Sequence, residues 1–145
     1  MDHVAILKKD WKLLDRILSG EKRVESRWYI HKRDPWDKIK KGDVVFLKES
    51  GSPVSAKARV SKVLQFADLN RDKVDGLLRE FSDVLGISDE RFSSVRERLK
   101  KKRYGILIFL EDPRKIKPFH IDKRGFGLMS AWLCVEDITS LIASP

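Results

Sequence analysis

The spacing of apolar positions along the chain changes several times, and each change marks an element. Val4-Ala5-Ile6-Leu7 is a short, continuous apolar run of the kind a buried strand makes. Beyond it Trp11, Leu14, Ile17 and Leu18 fall on one helical stripe, with Asp10 placed to cap the helix and Gly20 to end it. Lys22 to Trp28 lacks helical periodicity and reads as extended, leading into an aromatic and basic stretch in which Asp34-Pro35 predicts a turn. Val44–Glu49 and Val54–Phe66, joined by Ser50-Gly51-Ser52-Pro53, predict a β-hairpin. In its second strand Val54, Ala56, Ala58 and Val60 alternate with Ser55, Lys57, Arg59 and Ser61, so one face packs and the other meets solvent or a ligand. Lys62-Val63 breaks that alternation and predicts a bulge, the device by which a long strand bends in a small barrel.

From residue 68 to 103 the period turns helical. Val74, Leu77, Leu78, Phe81 and Leu85 form one stripe ending at Gly86, and Phe92, Val95 and Leu99 form another after the cap position Ser88. Strand spacing returns at Tyr104–Leu110, Lys115–Ile121 and Ala131–Glu136, and Asp137 is placed to cap a short last helix with Ile138, Leu141 and Ile142. No repeat, low-complexity tract or flexible linker interrupts the pattern. The expected architecture is one α+β domain over residues 1–145, a small mixed β-barrel with flanking helices and a helical insertion at about 68–103.

Composition narrows the function classes. With 145 residues, 41% of them apolar, the chain supports one core of ordinary size. Its longest apolar runs are far shorter than the roughly 20 residues a membrane-crossing helix needs, and Met1-Asp2-His3 does not open a signal peptide, so a soluble, cytoplasmic protein is expected. Cys134, the single cysteine, reads as a buried thiol. Lys and Arg number 31 against 22 Asp and Glu, a formal charge of +9 that favours polyanionic partners. Residues 1–62 carry 16 Lys and Arg against 9 acids, residues 63–103 carry 10 against 8, and residues 104–145 carry 5 against 5. The anion-binding face is therefore expected from the first half.

The chain carries no glycine-rich phosphate loop, no zinc-protease or serine-hydrolase motif and no Cys/His cluster; no metal or cofactor is expected. What stands out is Gly20-Glu21-Lys22-Arg23-Val24-Glu25-Ser26-Arg27. In an extended chain Arg23, Glu25 and Arg27 share one face, so a carboxylate flanked by guanidinium groups can hold an arginine for a phosphate or a base edge. Trp28, Tyr29 and Trp36, interleaved with His31, Lys32 and Arg33, add stacking surfaces beside cations, the combination that suits single-stranded nucleic acid. Lys57 and Arg59 would widen the basic surface. Lys100 to Arg103, at a helix C-terminus, complement the helix dipole.

Gly20, Lys22, Glu25 and Arg27 together resemble the Gly-x-Lys-x-x-Glu-x-Arg pattern of the ASCH domain (activating signal cointegrator homology), placed as in that family between the first helix and the next strand. Trp36 and Ile39 leading into Lys41-Gly42-Asp43, and Gly127-Leu128-Met129-Ser130-Ala131-Trp132 before the last strand, extend the resemblance over about residues 4–66 and 104–136. It implies a PUA-like β-barrel and a cleft for RNA lined by Lys22, Glu25 and Arg27, with Gly20 in the tight turn. Some small members are amidohydrolases on acylated cytidine nucleosides that use the motif Lys, a Thr where this chain has Glu25, and a further Glu.

The expected function is thus RNA binding through Lys22, Glu25, Arg27, Trp28, Lys57 and Arg59, with an acidic protein surface as a blander partner. The alternative is a hydrolase of modified nucleosides with Lys22 and Glu25 as the reactive pair. Against it, Thr is absent, and Glu21 and Glu25 are expected to keep Lys22 charged.

Overall fold

Residues 1–9, 12–127 and 130–143 are described by the computed structural model, so the predicted roles of Asp10 and Trp11, and the resemblance at Leu128-Met129, lie outside the described residues. The described strands are β1 (Asp2–Leu7), β2 (Val24–Tyr29), β3 (Val44–Glu49), β4 (Val54–Phe66), β5 (Tyr104–Phe119) and β6 (Trp132–Val135). They form a single sheet in the order β2-β5-β4-β3-β1-β6, curled into a half-barrel. β1 runs parallel to β3, and the remaining neighbours are antiparallel.

The apolar run of β1 is continuous because both of its faces are covered. Ala5 and Leu7 enter the barrel interior with Leu47, Val60, Ile106 and Ile108, while Val4 packs outward with Leu133, Ile138 and Leu141. Ile106 and Ile108 are fully buried, and truncating such a side chain to alanine costs about 2–5 kcal/mol. The predicted bulge is present: pairing of β4 with β5 shifts between Val60 and Lys62.

Two strands expected at Tyr104–Leu110 and Lys115–Ile121 are one, β5. Glu111-Asp112-Pro113, which has turn composition, is an irregularity inside the strand, with Asp112 at φ +50° and the β4 register shifting between Lys57 and Arg59. Proline is tolerated there because β2 pairs only with residues 104–109 of β5, leaving that side of Pro113 without a ladder.

The first helix, α1 (Leu13–Leu18), is shorter than the stripe suggested and buries Leu14 and Ile17. Gly20 at φ +83° reverses the chain after it, and Lys22 N–H reaches back to the Arg16 carbonyl. The other two helices are as the spacing predicts: α2 (Arg71–Leu85), capped by Asn70 and ended by Gly86 at φ +71°, and α3 (Asp89–Leu99). Ser88 occupies the N-cap position of α3 without a side-chain cap bond. Both helices pack through Val74, Leu78, Val95 and Leu99 on Val24 and Leu107, the outer face of β2 and β5. That docking places α3 beside the edge of β2. A short 3-10 helix, Ile138–Leu141, closes the chain behind Asp137, whose carboxylate accepts from Thr139 N–H.

Candidate functional site

β2 pairs only with β5 among the described residues, so its second edge faces the seam of the half-barrel. A cavity of about 350 Å³ lies along that edge, walled by the end of β1, by α1 and by the two outer helices. Seven cationic side chains line it, Lys8, Arg16, Lys22, Arg27, Arg91, Arg98 and Lys102, against one carboxylate, Glu25, with Trp28 and Tyr29 as aromatic walls. Arg91 and Arg98 stand at i and i+7 on one face of α3, and Lys102 follows in the turn beyond its end.

Glu25 and Arg27 alternate with Val24 along β2, so burial of Val24 against the helices turns both charged side chains toward the seam. Glu25 Oε1 is 3.6 Å from Arg27 Nη2, and Oε2 is 3.9 Å from Lys22 Nζ. Neither contact is a close hydrogen bond. Glu25 Oε2 and Arg27 Nε have no hydrogen-bond partner among the described residues. Arg27 Nη2 donates to the Ile6 carbonyl at 3.4 Å, which ties β2 to β1 across the seam, and its guanidinium carbon sits 5.1 Å from the Trp132 ring centre.

Lys22 is buried and donates to the Leu85 carbonyl at 2.9 Å, and Arg16 donates to the neighbouring Gly86 carbonyl at 2.6 Å. The two cations therefore satisfy the C-terminus of α2. Burial lowers the Lys22 pKa; Glu25 opposes that, and Arg16, Arg27 and Arg91 reinforce it. Of the two acids expected to favour charged Lys22, Glu25 does so, while Glu21 is turned to Arg16 at 3.3 Å instead. Arg23 is exposed, and the second cation beside Glu25 is Lys22 rather than Arg23.

The other predicted residues divide. Trp28 lies over Gly105, where a Cβ would come within 2.8 Å of its ring, and it packs on the helical cluster while one side lines the cavity. Trp36 packs edge-on against Tyr104 at 5.2 Å and lines no described cavity. Lys57 and Arg59 are exposed on β4, pointing away from the interior that Ala56 and Ala58 enter, and they do not line the cavity. Arg16, Arg91 and Arg98 were missed in the sequence reading. Charge summed by segment hides them, because acids on other helix faces cancel the total; the i, i+7 spacing of Arg91 and Arg98 was the available signal.

Solved structures supply the comparison. The ASCH protein of Zymomonas mobilis superposes with a TM-score of 0.67 over 98% of this chain and 96% of that chain, at 17% identity. The chain has the ASCH fold. The protein EF3133 of Enterococcus faecalis superposes with a TM-score of 0.51 over 74% of this chain and 68% of that chain, at 13% identity. No protein-family model matches the sequence, and no curated protein matches it significantly.

Within this ASCH fold a second polar cluster lies across the β1 and β6 pair. His3, fully buried, bonds Asp43 Oδ2 through Nε2 at 2.8 Å, and Trp132 Nε1–H donates to His3 Nδ1 at 3.0 Å, which fixes the Nε2–H tautomer. Cys134 Sγ is 3.4 Å from the same Nδ1. The sequence Cys, His, Asp suggests a nucleophilic triad, but burial pushes the Cys134 thiol up to about 12, the wrong direction for a thiolate nucleophile. Burial likewise lowers the His3 pKa against the pull of Asp43. This cluster welds β1, β6 and the loop before β3. Among the described residues no group of three or more His, Cys, Asp or Glu side chains could hold a metal ion, and no helix is long and apolar enough to cross a membrane.

Proposed function

We propose that the chain binds single-stranded RNA along the open edge of β2, as one unit over residues 1–145 in which the helical insertion supplies the far wall. The observation that carries this reading is the cavity lining, seven cations around one carboxylate beside Trp28 and Tyr29. Arg27, the α3 cations Arg91 and Arg98, and Lys102 beyond the helix end contact phosphates, Trp28 and Tyr29 supply ring faces for bases, and Glu25 orients Arg27. Lys22 acts chiefly as a buried anchor of α2. Lys57 and Arg59 are left to non-specific attraction at the outer face.

The test is the salt dependence of affinity for a short single-stranded RNA. Each phosphate contact contributes a slope of roughly −0.7 in log affinity against log salt. Arg98→Ala is expected to weaken binding and to flatten that slope by about one contact. Binding that ignores salt, or an Arg98→Ala protein with wild-type slope and affinity, overturns the reading.

One observation favours a second reading, hydrolysis of an acylated nucleoside: the lowered pKa of Lys22, 3.9 Å from Glu25 Oε2 at the cavity wall. Incubation with N4-acetylcytidine and chromatographic detection of cytidine decides it. Against this reading, Lys22 Nζ already donates to the Leu85 carbonyl.

A further inference from the structure

The large cavity has a smaller neighbour, of about 200 Å³, lined by Arg27, Tyr29, Arg33, Asp34, Phe126, Ser130, Ala131 and Trp132. Arg27, Tyr29 and Ala131 belong to both, so the two are compartments on either side of one arginine. Building on the RNA-binding reading, we propose that they take two consecutive nucleotides of a single strand, one base in each compartment, with the linking phosphodiester against Arg27.

Three features support this arrangement. Size comes first: ligand pockets for drug-sized molecules run from roughly 300 to 1,000 Å³, so the large cavity accommodates one nucleotide and the small one a single base. Neither holds a longer stretch of strand. The second feature is the order of charge. Glu25 is the carboxylate of the large compartment and Asp34, whose Oδ1 pairs with Lys38 at 2.8 Å, that of the small one, and a carboxylate rejects phosphate while accepting the N–H groups of base edges. Between them stands a guanidinium. Nearest the arginine the order is Glu25, Arg27, Asp34, which matches base, phosphate, base, while the remaining cations of the large compartment and Arg33 of the small one are left for the outer phosphates.

Arg27 itself is the third feature. Its plane is fixed by the Trp132 ring and by the Ile6 carbonyl, and its Nε is buried away from both compartments. A guanidinium held in one orientation suits a phosphodiester, whose paired oxygens match its fork. The small compartment also has aromatic walls in Tyr29, Phe126 and Trp132, and the Arg33 guanidinium carbon lies 5.8 Å from the Tyr29 ring centre.

The experiment titrates the protein with the four ribonucleoside monophosphates, the four homodinucleotides and a mixed-sequence decanucleotide, at fixed salt. Stacking one base contributes about 1–3 kcal/mol, so a dinucleotide is expected to bind about 5- to 150-fold tighter than its mononucleotide. In Phe126→Ala and Arg33→Ala, changes confined to the small compartment, that ratio falls toward one. Arg33 is exposed, so its variant keeps the test open if Phe126→Ala does not fold. Arg98→Ala, confined to the large compartment, weakens both ligands and preserves the ratio. Decanucleotide binding without any dinucleotide advantage, or an advantage that survives both small-compartment changes, overturns the two-nucleotide site alone. Failure of every RNA, the decanucleotide included, overturns the RNA-binding reading itself.

Discussion

Arg27 stacks on Trp132, its guanidinium carbon 5.1 Å from the ring centre, so a residue of β2 at one margin of the sheet rests on a residue of β6 at the other. A side chain, not a backbone ladder, spans the seam at this point. Lysine keeps the charge but loses the plane that stacks and forks. Arg27→Lys is therefore expected to lower RNA affinity nearly as much as Arg27→Ala, by about 1–3 kcal/mol, measured by fluorescence anisotropy. Wild-type affinity in Arg27→Lys would show that charge alone matters.

Much of this fold was legible because burial imposes a period. The β3 and β4 hairpin, the bulge near Lys62 and both helices of 68–103 follow from spacing alone. The site was legible in part: Glu25 and Arg27 on one face of a strand follow from alternation, and Gly20 in the turn follows from its place after a helical stripe. Three-dimensional neighbours were not legible. Nothing in the order of residues says that Arg91 and Arg98, more than 60 residues from Arg27, enter the same cavity, because α2 and α3 dock by apolar faces and only then carry their cations to the edge of β2. Lys22 shows the converse. Its sequence neighbours are acids, but its spatial neighbours are the end of α2 and other cations, and burial outweighs Glu25.

Gly86 ends α2 in a conformation that penalises a side chain, φ +71°, and a Cβ there would come within 2.3 Å of Arg16 Nη2. The guanidinium can yield, so the backbone cost dominates. Gly86→Ala is expected to destabilise by about 1–2 kcal/mol, read as a lower midpoint in urea with an unchanged slope. In Arg16→Ala the clash is gone and the penalty of Gly86→Ala should shrink only by the part due to contact.

The Cys134 thiol, pushed up to about 12 by burial, is expected to be inert in the folded protein. Alkylation by iodoacetamide at pH 8 should be slow in buffer and rise steeply through the urea transition. Rapid labelling of the native protein would show that the thiol is accessible and less shifted than its surroundings imply.

His3 makes stability depend on pH in a defined direction. Its folded pKa is below the ordinary 6.5 because burial disfavours the imidazolium, so the unfolded chain binds the proton more readily. That contribution is complete above about pH 6.5 and is lost as pH falls from there toward the folded pKa. Burial pushes the Asp43 carboxyl up, but hydrogen bonds from His3 and Lys40 outweigh it and hold the group below its usual range, adding a loss at lower pH. The melting temperature should decline below pH 6.5. Titration of the His3 ring protons by NMR at or above 6.5 would contradict the assignment.

Glu25 separates the readings of the site, because each gives it a different task. It is buried between Lys22 and Arg27, and glutamine keeps its shape while leaving two cations without their counter-charge. Truncating one member of a close buried pair costs about 3–5 kcal/mol, but these contacts are 3.6 and 3.9 Å and glutamine still accepts, so about 1–3 kcal/mol is expected here. Adding Lys22→Met removes one of the stranded charges. The double variant should then be more stable than the sum of the single losses by about 1 kcal/mol, within the range of coupling between contacting groups. Additive losses would mean that the pair does not act as one unit. On function, an orienting role leaves RNA affinity of Glu25→Gln within a few fold of wild type, well above that of Arg27→Ala. A catalytic base instead loses turnover on N4-acetylcytidine by about 100-fold or more with RNA binding intact. Equal RNA affinity in wild type, Glu25→Gln and Arg27→Ala would remove β2 from the binding surface altogether.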